Sequence, residues 1–227
     1  MSGCLHASGA GRLVADGMPS FRDISGRFPA LVLDAASSQV QVGVLSPGAG
    51  TSWQASTDEA GVAVFQCIEA LGARPLDMQA FVFCEGPGSV LGIRTVAMAI
   101  RTWRVLRPTP VFAYSSLALV AHAVGRNDIG IIADARRDSW HHFQLGQGLR
   151  RVASAELHRP LAMPENFRHW SPLPAEVTRV PYSVSELVAR AWDADVLHET
   201  TAPDAFLHEE PSYVTWTPQI HQPRAAT

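Results

Sequence analysis

Lysine is absent from this chain of 227 residues, so all 18 of its basic residues are arginines. A GC-rich coding sequence explains this bias better than selection for phosphate binding does. The formal net charge is −3, and no run of basic residues stands out. Because nucleic-acid binding depends largely on clustered positive charge, we do not expect this chain alone to cover a large nucleic-acid footprint.

Cysteine is scarce as well, and no apolar stretch approaches the length of a transmembrane helix. Cys4, Cys67 and Cys84 are too few and too far apart for a disulfide framework or a zinc site. Cys84 falls in an apolar segment, where a reduced and buried thiol is expected. The N-terminal region lacks the apolar centre of a signal peptide and contains Asp16 and Asp23, which transit peptides avoid. We therefore expect a cytoplasmic protein without membrane contact.

The most informative segment is 79–107, in which a strand, a tight turn and a helix follow one another. Residues 79–84 form an apolar run rich in Phe and Val, which is typical of a buried strand. The Gly-Pro-Gly at 86–88 predicts a turn, because glycine can adopt positive φ and proline fixes its own φ. Ser89 is a suitable N-cap, and Pro108 ends the helix that follows.

Two helices, at 57–71 and 90–107, are expected to form a partner surface, because each carries more apolar residues than one buried stripe requires. On the second helix the surplus lies opposite the buried stripe, beside two arginines. An apolar pair flanked by arginines is typical of an interface, whose core favours Met and Arg over Lys. Two alternatives stay open: the arginines face only solvent, or the second half of the chain covers the apolar pair. The candidate interface consists of Arg94, Met98, Arg101 and Val105, and the predicted buried stripe of Ile93, Val96, Ile100, Trp103 and Leu106.

The order of elements predicts an α/β protein with two lobes. Residues 1–28 have no periodic apolar pattern, so we expect a disordered extension, or a start codon assigned too early with Met18 as the alternative start. Residues 29–126 predict the order βββαβαβα, a mixed sheet flanked by helices. Residues 127–227 begin a second group of strands and end in an irregular tail, which predicts a reduced C-terminal lobe.

The same arrangement opens each lobe: an apolar strand that ends in Asp-Ala, a polar turn and a returning strand. It occurs at Asp34-Ala35 and again at Asp134-Ala135, which makes the two lobes weakly repeat-like. For Asp34 we predict a turn carboxylate that accepts hydrogen bonds from nearby amides.

No residue pattern predicts a catalytic, cofactor-binding or metal-binding site. His141 and His142 are neighbours on a predicted strand, so they point to opposite faces and cannot chelate one ion together. The turn at 86–88 could hold an anion at a helix N-terminus. It lacks the lysine of a P-loop and the spacing of a dinucleotide fingerprint, so we favour a structural turn.

Four motifs resemble those of the bacterial TsaB family, the inactive partner in making threonylcarbamoyladenosine next to the tRNA anticodon. The most specific is a match to the family's Gly-Pro-Gly-Ser-x-x-Gly-Leu-Arg signature. The others, in the family's order, are Ser-Ser-Leu at 115–117, Asp-Ala-Arg at 134–136 and Pro-x-Tyr at 211–213. The chain departs from the family at Val90-Leu91, where Phe-Thr is usual, and at Glu85, where Arg is common. The signature residues are Gly86, Pro87, Gly88, Ser89, Gly92 and Arg94.

The resemblance implies an actin-like ATPase (ASKHA) fold with two ribonuclease-H-like lobes, the second one reduced. It implies a pseudoenzyme, a non-catalytic scaffold that binds a TsaD-like protein as a heterodimer through helices of the first lobe. It further implies that the chain forms a homodimer when alone, meets a TsaE-like ATPase only indirectly and does not contact tRNA directly.

Active members of this superfamily have an Asp-x-Gly phosphate loop after the first strand. Here Ala36 replaces the glycine that lets backbone amides approach a phosphate, so we expect no ATP hydrolysis and no cofactor. The main alternative is a small ATP-dependent kinase or acyltransferase of the same superfamily. A further alternative is a diverged paralogue that only self-associates.

Overall fold

The computed structural model describes residues 18–48 and 50–206. Within these ranges the chain forms two mixed β-sheets and four α-helices. The order βββαβαβα expected for the first lobe is confirmed. None of the helices in the described ranges is long and apolar enough to cross a membrane.

The strands and helices have the following bounds. The strands are β1 (Ala30–Asp34), β2 (Val40–Ser46), β3 (Gly50–Ser56), β4 (Ala80–Gly86), β5 (Val111–Ser115), β6 (Gly130–Asp134), β7 (Ser139–Gln144), β8 (Gly148–Ala153), β9 (Leu161–Pro164), β10 (Val177–Val180) and β11 (Leu197–Glu199). The helices are α1 (Ala60–Ala70), α2 (Val90–Leu106), α3 (Ser116–Val124) and α4 (Val184–Arg190).

The first sheet has the strand order β11-β5-β4-β1-β2-β3. Its inner strand β1 pairs antiparallel with β2 and parallel with β4. All five residues of β1 are buried, and since successive side chains of a strand point to opposite faces, both faces of the sheet are covered here. Helices α1 and α2 pack on each other and on this sheet. The apolar run at 79–84 thus forms an inner strand because helices, not water, meet both of its sides.

The second sheet repeats the plan of the first, with the order β10-β9-β6-β7-β8. Its inner strand β6 pairs antiparallel with β7 and parallel with β9, just as β1 pairs with β2 and β4. A short 3-10 helix, Ser154–Glu156, stands between β8 and β9 where the first half has α1. Helix α3 contacts β4 and β5 of the first sheet and β6 and β7 of the second, so it joins the two lobes.

The described part of the N-terminal segment, 18–28, is folded, which corrects the expectation that order begins near residue 29. Phe21 is fully buried, and its ring stacks on that of Trp192 with 6.1 Å between centroids. The Leu197 amide donates a hydrogen bond to the Pro19 carbonyl at 3.0 Å. These contacts join segments far apart in sequence, so no local periodicity reveals them. Residues 1–17 lie outside the described residues.

Three further expectations need correction. The second lobe does not extend from 127 to the end of the chain, because β11 pairs with β5 and returns to the first sheet. Helix α1 begins at Ala60 rather than at 57. Leu106, assigned to the buried stripe of α2, is 69% exposed. The Pro-x-Tyr motif at 211–213 lies outside the described residues.

Candidate functional site

The signature turn joins the end of β4 to the start of α2. Gly86 has a φ of +114°, a conformation that residues with side chains rarely adopt. The Ser89 hydroxyl accepts a hydrogen bond from the Gly92 amide at 3.4 Å and so caps the helix, as the sequence predicts. The Ser116 hydroxyl at the start of α3 donates to the Pro87 carbonyl at 2.6 Å. The turn is therefore fixed by the two helices that follow it.

The signature glycines allow this turn to pack directly on the turn after β1. A Cβ added at Gly88 would come within 3.0 Å of the Ala36 carbonyl oxygen, and one added at Gly92 would meet the Ala35 oxygen equally closely. The Ser89 amide donates to the same Ala36 oxygen at 2.7 Å. The two backbones therefore contact each other, and the Ser89 amide, which could otherwise bind an anion, already has a partner.

Asp34, at the end of β1, is fully buried below this turn. Its carboxylate accepts hydrogen bonds from the Ala36 amide at 2.9 Å, as predicted, and from the hydroxyls of Tyr114 at 2.7 Å and Tyr182 at 2.8 Å. Burial raises the pKa of Asp34 above its ordinary value, although the three hydrogen bonds act in the opposite direction. The carboxylate that opens the first lobe is thus enclosed by protein groups.

Residues of the second half close the cleft beside Asp34. The Tyr182 hydroxyl reaches Asp34, while the Tyr182 carbonyl accepts a hydrogen bond from Gln41 Nε2 at 2.8 Å. The Val184 amide donates to Gln41 Oε1, also at 2.8 Å. Tyr182 and Gln41 are both buried, so these contacts join the lobes in the protein interior. The Cys84 thiol lies 3.9 Å from the Tyr182 hydroxyl, and burial raises the thiol pKa.

Asp134 lies at the end of β6, as Asp34 lies at the end of β1. Each carboxylate accepts a hydrogen bond from the amide two residues further along the chain, but Asp134 is only partly buried. Its carboxylate accepts hydrogen bonds from the amides of Arg136, Trp170 and Ser171. Partial burial would raise the pKa of this carboxyl, but the amide hydrogen bonds outweigh it and lower the pKa. Asp134 thereby ties the turn after β6 to the loop that precedes β10.

The exposed face of α2 carries an apolar stripe. Leu91, Met98 and Val105 are 79%, 56% and 84% exposed, and their spacing of seven residues places them on one side of the helix. The described part of the second lobe therefore leaves Met98 and Val105 exposed, contrary to the alternative in which it covers them. On the neighbouring helix α1, Val62 and Phe65 are about half exposed as well. We call Leu91, Met98 and Val105 the α2 stripe.

The arginines beside the α2 stripe have a partner within the chain. Arg94 and Arg101 lie 3.5 Å and 3.4 Å from the two carboxylate oxygens of Asp204. Arg104 donates to the Thr201 carbonyl at 2.7 Å, so three arginines of one helix hold the segment after β11. The Phe206 amide of this segment also donates a hydrogen bond of 2.7 Å to the Glu85 carbonyl, at the end of β4. Solvation alone does not account for Arg94 and Arg101.

The histidine pair on β7 lies as the sequence predicts, on opposite faces of the strand. His142 is buried, at 6% exposure, whereas His141 is more open. The described residues contain no group of three or more His, Cys, Asp or Glu side chains that could hold a metal ion.

No family model and no curated protein sequence matches this chain. Solved structures do match. An uncharacterised Pseudomonas aeruginosa protein described as similar to the peptidase YeaZ is 19% identical with a TM-score of 0.50, and the match covers 71% of this chain and 89% of that protein. YeaZ from Pseudomonas aeruginosa is 20% identical with a TM-score of 0.50, over 70% of this chain and 89% of its own. The chain has a YeaZ-like fold.

YeaZ proteins form the TsaB family, which the signature residues resemble. At this level of identity the comparison concerns the fold. The YeaZ-like fold and the two mixed sheets are consistent with the ribonuclease-H-like or actin-like architecture that the resemblance implies.

Sequence reasoning found both lobe-opening aspartates and the signature turn but missed the residues that meet them. Tyr182 and Gln41 carry no local signal, because their importance depends on contact across the lobes. Asp204 and Trp170 lie in segments without periodic pattern. The one signal available was the resemblance between the two Asp-Ala turns, which predicts that each aspartate binds backbone amides.

Proposed function

We propose that this chain is a non-catalytic scaffold subunit that binds a TsaD-like protein, in the complex that transfers a threonylcarbamoyl group to the tRNA adenosine next to the anticodon. The observation that carries the proposal is the exposed α2 stripe. The YeaZ-like fold and the signature motif support the link to this tRNA modification system. In the absence of the TsaD-like protein, the same surface pairs two copies of this chain.

An exposed apolar stripe favours association because covering it removes apolar area from water, at about 25 cal/mol per Å². The α2 stripe is rimmed by Arg94 and Arg101, whose side chains are 48% and 41% exposed although they contact Asp204. An apolar centre with a charged rim is the usual anatomy of a protein–protein interface.

The closed cleft supports the non-catalytic part of the proposal. In a nucleotide-binding member of such a fold, phosphate would approach amides of the turn after the first strand. Here that turn is covered by Gly88 and Gly92, and the aspartate below it is bonded to Tyr114 and Tyr182. A phosphate would have to displace buried hydrogen bonds between protein groups.

The two alternative functions predict different binding properties for this chain. A kinase or acyltransferase would require the cleft to open, so it predicts nucleotide binding by the isolated chain. A diverged paralogue would use the α2 stripe for self-association alone. Only the scaffold proposal requires a complex with the TsaD-like protein of the same host.

The test is size-exclusion chromatography of this chain with the host's TsaD-like protein, using Met98→Asp. At the interface the new carboxylate would be desolvated together with Arg101, whose Nη1 lies 4.0 Å from Met98 Sδ, and the attraction between two buried charges need not offset the cost of removing both from water. In the free monomer it faces water, because Met98 is 56% exposed, so the melting temperature should stay unchanged at concentrations where the wild type is monomeric. The matched control is Leu173→Asp, which changes an apolar residue of the other lobe that is 38% exposed.

We expect wild type and Leu173→Asp to co-elute with the TsaD-like protein and Met98→Asp to elute alone. A Met98→Asp protein that still co-elutes would remove the α2 stripe from the interface. If the wild type does not bind the TsaD-like protein, the scaffold proposal is wrong and the alternative of a paralogue that only self-associates is favoured.

A second test addresses catalysis. Calorimetric titration of the isolated chain with ATP should give no heat of binding in the micromolar range, and the chain should release no phosphate. A micromolar ATP site on the isolated chain would favour the kinase or acyltransferase.

A further inference from the structure

An open concave surface lies at the carboxyl end of β6, and none of its lining residues belongs to the α2 stripe or the signature turn. Its volume is about 560 Å³. It is built from two segments, the turn after β6 and the loop before β10. The residues that line it are Arg136, Arg137, Asp138, Trp170, Ser171 and Pro172.

Asp134 fixes the two segments relative to each other. Its carboxylate accepts a hydrogen bond from the Arg136 amide in one segment and from the Trp170 and Ser171 amides in the other. The Trp170 side chain is therefore presented by a backbone that is held in place. The surface is a built feature of the second lobe because one carboxylate positions both its cationic and its aromatic component.

Trp170 remains 62% exposed, which is unusual for the largest apolar side chain. The Arg136 guanidinium lies over its ring, with 4.3 Å from Cζ to the ring centroid. This cation–π contact leaves most of the indole in water.

The backbone of the turn is strained. Arg136, Arg137 and Asp138 have φ of +63°, +52° and +54°, three consecutive left-handed residues without a glycine. Each such residue costs free energy, and such conformations concentrate at functional sites. The turn is the hairpin loop between β6 and β7, closed by a hydrogen bond of 3.0 Å from the Ala135 amide to the Ser139 carbonyl, and it exposes both arginines.

We infer that this surface binds single-stranded RNA, with an unpaired base stacked on the face of Trp170 opposite Arg136 and the in-plane N–H groups of Arg136 and Arg137 donating to the flanking phosphates. Proteins bind single strands by this combination of aromatic stacking and positive charge. An acidic peptide would use the arginines but not the flat indole face. A mononucleotide requires an enclosed pocket that covers most of its surface, and this surface is open.

This inference goes beyond the proposed function, which expects no direct contact with tRNA, and it does not depend on binding of a TsaD-like protein. Two arginines and one carboxylate, Asp138, line the surface, so it neutralises about one phosphate and stacking supplies the rest, which is compatible with the net charge of −3. The logarithm of the affinity should therefore fall with the logarithm of salt concentration with a slope of about −0.7.

The test is fluorescence anisotropy of the full chain with a fluorescein-labelled RNA hairpin that has a seven-nucleotide single-stranded loop. The variants are Trp170→Ala, Trp170→Tyr and Arg136→Ala. The control variant is Arg179→Ala, an exposed arginine of β10 that does not line the surface. A fully paired RNA duplex, AMP and a poly-glutamate peptide serve as competitors.

We expect Trp170→Ala to weaken binding at least about fivefold, the lower end of what one base stack contributes. Arg136→Ala should weaken binding and reduce the salt slope, while Trp170→Tyr and Arg179→Ala bind like the wild type. The hairpin should be displaced neither by the duplex nor by AMP at equal concentration. The inference is overturned if the wild type does not bind the hairpin at micromolar concentration. It is equally overturned if Trp170→Ala binds as the wild type does while keeping its melting temperature, or if poly-glutamate displaces the RNA.

Discussion

The Tyr182 hydroxyl donates a hydrogen bond of 2.8 Å to the Asp34 carboxylate, across the boundary between the two lobes. Both residues are buried, so neither group can exchange this bond for one to water. The Tyr182 ring also packs edge-on against Phe167, with 4.8 Å between centroids. The contact combines apolar packing with one hydroxyl whose partner is fixed.

Tyr182→Phe should lower the free energy of unfolding by about 1–3 kcal/mol, because a buried carboxylate oxygen loses a donor. The phenylalanine keeps the ring contact with Phe167, so the change isolates the hydroxyl. Urea denaturation followed by fluorescence measures the effect. Ser183→Ala, at the next residue, is the control and should change little. Equal stability of Tyr182→Phe and wild type would mean that the hydroxyl does not join the lobes.

The close approach of the two turns makes Gly88 and Gly92 sensitive to substitution. Gly88→Ala and Gly92→Ala should each destabilise the protein by about 3 kcal/mol, the upper end for overpacking, because the new Cβ would press on a backbone oxygen. Gly61→Ala is the matched control, since a Cβ at this position of α1 meets nothing within 4 Å. It should be neutral or stabilise by about 0.5–1 kcal/mol. A thermal melt of all three variants distinguishes close packing from a general intolerance of alanine.

The N-terminal segment should contribute to stability through Phe21. Phe21→Ala should cost about 3–5 kcal/mol, because the ring is fully buried against Trp192. A chain that starts at Met18 keeps this contact, whereas a chain that starts at Pro29 loses it and should melt several degrees lower. Equal melting temperatures of the two shortened chains would show that residues 18–28 contribute nothing to stability.

The pair of His198 and Glu85 should make stability depend on pH. His198 Nε2 lies 3.3 Å from Glu85 Oε2, and this hydrogen bond raises the pKa of His198 above its ordinary value of 6.5. A raised pKa in the folded state means that the added stability is fully present below pH 6.5 and is lost as the pH rises through the folded-state pKa.

His198→Gln removes this contribution, so the wild type should exceed the variant in melting temperature by more at pH 5.5 than at pH 8. The side chain of His198 is 41% exposed, so screening by solvent keeps the difference small. A difference in melting temperature that grows towards high pH would contradict a raised pKa of His198 in the folded state.

Local sequence patterns determined most of the first lobe. The apolar run at 79–84, the glycine turn and the Ser89 cap predicted β4, the signature turn and α2 correctly, because each depends on residues close together in the chain. The α2 surface could also be predicted: Met98 and Val105 fall opposite the buried stripe by helical spacing, and both are exposed. Leu106, the last residue of α2, was wrongly assigned to the buried stripe, since it is 69% exposed.

Tertiary structure alone decided which groups meet these elements. The sequence placed Asp34 in a turn and predicted its bond to a nearby amide, but the two tyrosines that enclose it come from distant segments. The burial of Phe21 and the return of β11 to the first sheet likewise depend on contacts between the two ends of the chain. Periodicity reports which side of an element is apolar, and it carries no information on which element covers that side. The pairing of lobes, and with it the closed cleft, was therefore fixed by packing at long range.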